Sequence, residues 1–241
     1  MHRRDVTPDH VATETDRLLA TVDRLSDADL AGPSLCEGWS RGHVLAHLAR
    51  NADALTRVVS VATTGVADTM YDSPEARDAD IDAGAGRPVA AQADDLRASA
   101  ARLADALGQL TPEHGGVHVH RTPGGQQIPV GAVPYLRLRE LVFHHTDLDS
   151  GFGFADAPAD VVGLLLDDAV ARLAAPDRPA GTDGPGAPDV TLVTDEGDEH
   201  VLGSGTTRVS GPRAGVLLWL ARGRTDGVTV EGPLPTLPFG G

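Results

Sequence analysis

The chain has 241 residues and a formal net charge of −15, from 20 basic and 35 acidic side chains; all 20 basic residues are arginine, because the sequence contains no lysine. That length fits one large or two modest domains. The acidic balance argues against a general nucleic-acid binder, the missing lysine excludes Schiff-base and P-loop lysine chemistry, and a single cysteine, Cys36, excludes an internal disulfide or a cysteine-rich zinc module.

Thr7 and Pro8 signal a first helix, carried by Val11, Leu18, Leu19, Val22 and Leu25 and expected to stop before Gly32-Pro33. Ser40 can cap a second helix whose apolar stripe, Val44, Leu45, Leu48, Ala52, Leu55 and Val59, runs to about Thr63. A third is expected from Arg87-Pro88 through Val89, Leu96, Leu103, Leu107 and Leu110. A passage with Gly115, Gly116, Gly124 and Gly125 then reads as a loop, and its His114, His118 and His120 as surface histidines. The fourth helix spans Val133 to about Leu148, with Pro134 in its first turn. Four such helices predict a bundle with one long excursion between the second and third.

Beyond Gly151 the pattern changes. A helix over Ala159 to Ala174 precedes a Pro- and Gly-rich linker, Pro176 to Pro188, and then short β-like runs at Val190 to Val193, Thr207 to Val209 and Val228 to Val230, with a helical stretch from Ala214 to Ala221. The expected architecture is α+β: a four-helix bundle over residues 1–152, then a small α+β domain over residues 153–241. No stretch reaches the roughly 18 to 20 apolar residues of a membrane span. The start, MHRRDVTPDHVATETD, has no apolar signal core, so the chain reads as cytoplasmic with no membrane partner.

Ten histidines in so acidic a chain are where chemistry is expected. Glu140 and His144 stand four apart on the fourth helix, hence on one face. His43 and His47 form a second pair with the same spacing, sharing a face with Asn51. Each pair alone reads as a surface hydrogen bond. On two core helices of one bundle, however, one histidine of the second helix with Glu140 and His144 would give three protein ligands and an open position, as in catalytic zinc sites. Spacing does not choose between His43 and His47. His145 lies about 100° around the helix from His144 and is not expected in the same site.

The segment Gly38-Trp39-Ser40-Arg41-Gly42-His43-Val44-Leu45-Ala46-His47-Leu48-Ala49-Arg50-Asn51-Ala52-Asp53-Ala54-Leu55 resembles the second helix of mycothiol-dependent maleylpyruvate isomerases, members of the DinB-like helical superfamily. Met70-Tyr71 with Ser73 to Ile81, Arg139 to Leu148, and the Gly211 to Gly223 segment are similar too, in the same order. The resemblance implies a DinB-like bundle holding a divalent metal, expected to be zinc, through His47, Glu140 and His144. It also implies mycothiol as thiol cofactor and a small electrophilic substrate as partner.

The implied activity is cis–trans isomerisation of maleylpyruvate or a similar cis-enoyl diacid by thiolate addition, bond rotation and elimination. Mycothiol S-transfer to an electrophile and a non-catalytic metal-binding regulatory module are the alternatives. A dianionic substrate needs arginine forks in a chain without lysine; Arg222 and Arg224 are the candidates, with Arg77 and Arg139 further ones. Asp147 could orient His144 from outside the ligand set. Cys36 reads as an ordinary thiol, with a nucleophile paired to His43 as the sharper reading.

Overall fold

In the computed structural model, which describes residues 1–175, 188–235 and 237, the chain divides into two units, residues 2–152 and 153–241. The first contains α1 (Pro8–Val22), α2 (Asp27–Ala31), α3 (Arg41–Thr64), α4 (Pro74–Ala85) and α5 (Val89–Leu107), then a hairpin of β1 (His118–His120) and β2 (Gln127–Pro129), and finally α6 (Val133–Asp147).

The central helix is α3, packed against α4, α5 and α6. Ser40 starts it by accepting a hydrogen bond from the His43 backbone. Gly65, at φ 72°, ends it in the left-handed conformation that favours glycine. Val44, Leu48, Leu55 and Val58 are wholly buried along it. Each such aliphatic side chain contributes about 1.5–3 kcal/mol by leaving water, so the core of this unit is built around α3. Two glycines let α4 lie close against it: a Cβ on Gly42 would sit 2.2 Å from the Ala85 carbonyl oxygen, and one on Gly84 2.8 Å from Ala46 Cβ. The start of α3 is tied to the end of α6 by the Arg41 guanidinium, which donates to the Leu148 and Asp149 carbonyls.

The second unit contains α7 (Ala159–Ala174), β3 (Val190–Thr194), β4 (Glu199–Leu202), β5 (Thr207–Gly211), α8 (Arg213–Arg222) and β6 (Thr229–Glu231). Its sheet runs β4-β3-β5-β6, with β3 and β5 parallel and the two outer pairings antiparallel. Both α7 and α8 pack within this unit, and α8 lies against β3 and β5. The inward residues Val190, Leu192 and Val209 are fully buried beside Trp219 of α8. No described helix is long and apolar enough to cross a membrane.

Several expectations need correction. The first helix does not continue through Leu25: α1 stops at Val22, and Ser26 caps the separate α2 by accepting from the Asp29 backbone while Asp29 accepts from Ser26. This reciprocal cap restarts the helix rather than extending it. The third helix ends at Leu107 rather than Leu110. The excursion before it holds α4, begun by the Ser73 cap and Pro74. The histidine-bearing loop is largely the β1–β2 hairpin, onto which Met70 and Tyr71 add backbone hydrogen bonds to His120 and Arg121. Strand β4 was not foreseen. The expected linker, Pro176 to Pro188, lies outside the described residues except for its last position.

Candidate metal centre

His47 on α3 and Glu140 and His144 on α6 converge within the bundle. His47 Nε2 lies 2.9 Å and His144 Nε2 3.4 Å from the same carboxylate oxygen, Glu140 Oε2. The two imidazoles meet edge to face with centroids 4.6 Å apart. One ligand atom from each of the three residues falls within 4.8 Å of the others. The i, i+4 spacing puts Glu140 and His144 on one face of α6; the packing of α3 on α6 supplies His47 from across the bundle.

The outward-facing atoms of these three residues are also engaged. His144 Nδ1 is 2.9 Å from Asp147 Oδ2, and the Cys36 thiol donates to that same oxygen at 3.2 Å. Arg77 of α4 donates to His47 Nδ1 at 3.3 Å. Since a guanidinium can only donate, the hydrogen of neutral His47 is on Nε2, pointing at Glu140. Arg139 donates to the other carboxylate oxygen, Glu140 Oε1, at 2.9 Å. The Trp39 ring stands 5.5 Å from His47 and 6.4 Å from His144, centroid to centroid.

These contacts set the charges. Burial opposes ionisation of Glu140, but hydrogen bonds from His144 and His47 and the Arg139 guanidinium hold its carboxyl well below the usual carboxylate range. Burial and the neighbouring His144 charge push His47 down to about 4. Burial also opposes the charge on His144, yet hydrogen bonding to Asp147, Cys36 and Glu140 outweighs it and raises this pKa well above that of a free imidazole. At neutral pH the cluster therefore holds an ionised carboxylate, a neutral imidazole whose Nε2–H points at that carboxylate, and a protonated imidazole.

The donor set fits a divalent cation: two imidazoles and a carboxylate, largely shielded from solvent, with a carboxylate on the far nitrogen of one histidine. Cys36, His144 and Asp147 form a second group with metal-ligand atoms close together. It shares His144 and uses the nitrogen that Asp147 already occupies, so it reads as the outer layer of the first.

The other residues singled out from the sequence fall elsewhere. His43 caps α3 through Ser40 and faces Asp82 at 3.7 Å, so Cys36 is not paired with it. His145 points the other way, to the Thr21 hydroxyl and onto the Phe152 ring. His118 and His120 each spend Nδ1 on a local carbonyl, that of Gly116 and of Gly125. Arg222 sits in the last turn of α8 with a guanidinium nitrogen 2.7 Å from the Ala221 carbonyl, and Arg224 pairs with Asp226 at 2.8 Å. The Trp39 cover and the Arg77 contact to His47 were not foreseen; the only signal for the former was one of two tryptophans placed just before α3.

Fold and cluster together define a helical-bundle protein with a His–Glu–His cluster of potential metal ligands on facing helices. Residues 11–149 match the family model described as the mycothiol maleylpyruvate isomerase N-terminal domain. That is more than half of the sequence, and the chain belongs to this family. Among solved structures, the crystal structure of the mycothiol-dependent maleylpyruvate isomerase is similar with a TM-score of 0.84 at 26% identity, over 98% of this chain and 99% of that one. A histidine-to-alanine mutant of that enzyme gives the same values. No curated protein sequence matches significantly.

Proposed function

We propose that this protein is a metal- and mycothiol-dependent cis–trans isomerase of maleylpyruvate or a similar cis-enoyl diacid, with His47, Glu140 and His144 as the metal ligands. The observation that carries the reading is the convergence of both Nε2 atoms on Glu140 Oε2 in a chain whose family and near full-length structural relative are isomerases of this kind. A divalent cation held there, zinc by the family resemblance, would supply the Lewis acidity that deprotonates a thiol near neutral pH.

The chain's own residues do the rest. Asp147 holds His144 Nδ1 and so aims Nε2 at Glu140. Arg139 keeps Glu140 ionised and oriented, and Arg77 engages the Nδ1 edge of the His47 ring in the metal-free protein. Trp39 places an apolar ring beside both imidazoles, which limits water at the cluster. Arg222 and Arg224 are proposed as carboxylate forks; the exposed Arg224–Asp226 pair costs little to open.

The reaction itself needs no net consumption of thiol. Sulfur adds to one carbon of the cis double bond, the electrons move toward the conjugated carbonyl, the resulting single bond rotates, and loss of the thiolate restores the double bond as trans. The test is an assay with maleylpyruvate and substoichiometric mycothiol. Many turnovers with the thiol recovered unchanged are expected. Thiol consumed one for one would make the protein an S-transferase, and zinc uptake with no thiol-dependent turnover would make it a binding module.

A further inference from the structure

Arg137 is wholly buried, one turn ahead of Glu140 on α6. Its Nη1 donates to the Leu48 carbonyl oxygen at 2.8 Å and to Asn51 Oδ1 at 2.9 Å, both on α3. Its Nε and Nη2 have no hydrogen-bond partner among the described residues. Burial lowers its pKa to about 10, so the guanidinium remains charged at neutral pH. A buried cation with two donor nitrogens left over is an expensive way to fill a helix interface, and an apolar side chain of similar size would serve stability better. Its place in this interface therefore needs a reason other than packing.

The location of its two acceptors supplies one. Leu48 directly follows His47, and Asn51 lies one turn beyond it on the same face of α3. Arg137 stands three residues before Glu140. The fork thus joins the two helices at the level of the His47–Glu140 contact. The neighbouring buried residues Val44, Leu45, Leu48, Leu138 and Leu141 are aliphatic, and contacts among them are non-directional and tolerate small slides. Two hydrogen bonds from a rigid guanidinium to a carbonyl and an amide fix one register.

We propose that Arg137 is a positioning residue for the metal centre: by clamping Leu48 and Asn51 it sets the separation and register of α3 and α6 at which His47 meets Glu140 and His144. The inference rests on the metal reading given above. It assigns Arg137 and Asn51 to the affinity of the site although neither is a ligand.

The test measures zinc affinity by competition with a chelator, together with the melting temperature of the metal-free protein, for wild type, Arg137→Met, Asn51→Ala and the double variant. Arg137→Met is expected to leave the metal-free melting temperature unchanged or raised while weakening zinc binding at least tenfold. Asn51→Ala should weaken zinc binding in the same direction, and should add nothing further in the Arg137→Met background. Should Arg137→Met fold poorly, Asn51→Ala alone decides, because a merely structural role would leave zinc affinity at its wild-type value. Tight zinc binding by wild type with unchanged affinity in Arg137→Met or Asn51→Ala, or additive effects of the two, would overturn the positioning role alone. Failure of the wild type to take up zinc would overturn the metal reading and this inference with it.

Discussion

Replacing Glu140 by Gln keeps the shape of the side chain and removes its charge from a site organised around it. In the native cluster Arg139 and His47 each lie 2.9 Å from a Glu140 oxygen and His144 lies 3.4 Å away. Without the carboxylate, Arg139 and the protonated His144 lose their shared countercharge. Removing one partner from a buried charge network costs about 3–5 kcal/mol. The Glu140 side chain retains 16% exposure, and Asp147 still faces His144. The lower end, about 3 kcal/mol, therefore applies. At about 2–4 °C per kcal/mol for a chain of this size, metal-free Glu140→Gln protein should melt roughly 6–12 °C below wild type by scanning calorimetry. A melting temperature within about 2 °C of wild type would refute the argument that this carboxylate is the electrostatic centre of the cluster.

Zinc affinity should rise with pH. A cation must displace a net proton from His144 at neutral pH, whereas His47, held at about 4, is already neutral and needs only to move its ring hydrogen from Nε2 to Nδ1. One displaced proton gives about a tenfold gain per pH unit, levelling only above the raised pKa of His144; titration calorimetry showing a flat profile from about pH 6 to pH 8 would contradict the assignment. Asp147→Asn keeps the ligands but weakens the support of His144 Nδ1, and should cost about 10–100-fold in zinc affinity. Arg222→Ala and Arg224→Ala should raise KM for the diacid with smaller changes in kcat if these forks bind carboxylates, and steady-state kinetics identical to wild type would return them to the surface.

How legible the molecule was from its sequence depended on what each residue does locally. Helices α3, α5 and α6 carry long apolar stripes and could be read from periodicity. Helix α4 could not: in Pro74–Ala85 the only fully buried side chain is Ile81, and the helix is held against α3 by the close approaches at Gly42 and Gly84, which a one-dimensional pattern does not display. Strand β4 is an edge strand with Val201 mostly exposed, so it shows no buried alternation. At the site, Glu140 and His144 were visible because one turn of helix brings them together. The partnership with His47 spans 93 positions and depends on how α3 packs on α6; the sequence carried it only through resemblance to a family. The contacts of Cys36 with Asp147 and His144 were hidden for the same reason: they come from the docking of its loop, where the Leu35 backbone donates to the Asp147 carbonyl. Arg137 gave no signal, since an arginine in Arg137-Leu138-Arg139-Glu140 reads as solvated until its burial is seen.

The central claim is that His47, Glu140 and His144 hold the metal. Elemental analysis of zinc-reconstituted protein after gel filtration measures it directly. One zinc per chain is expected for wild type and for His145→Ala, with substantial loss in His47→Ala, Glu140→Ala and His144→Ala. Full zinc retention in the last three variants would contradict the account.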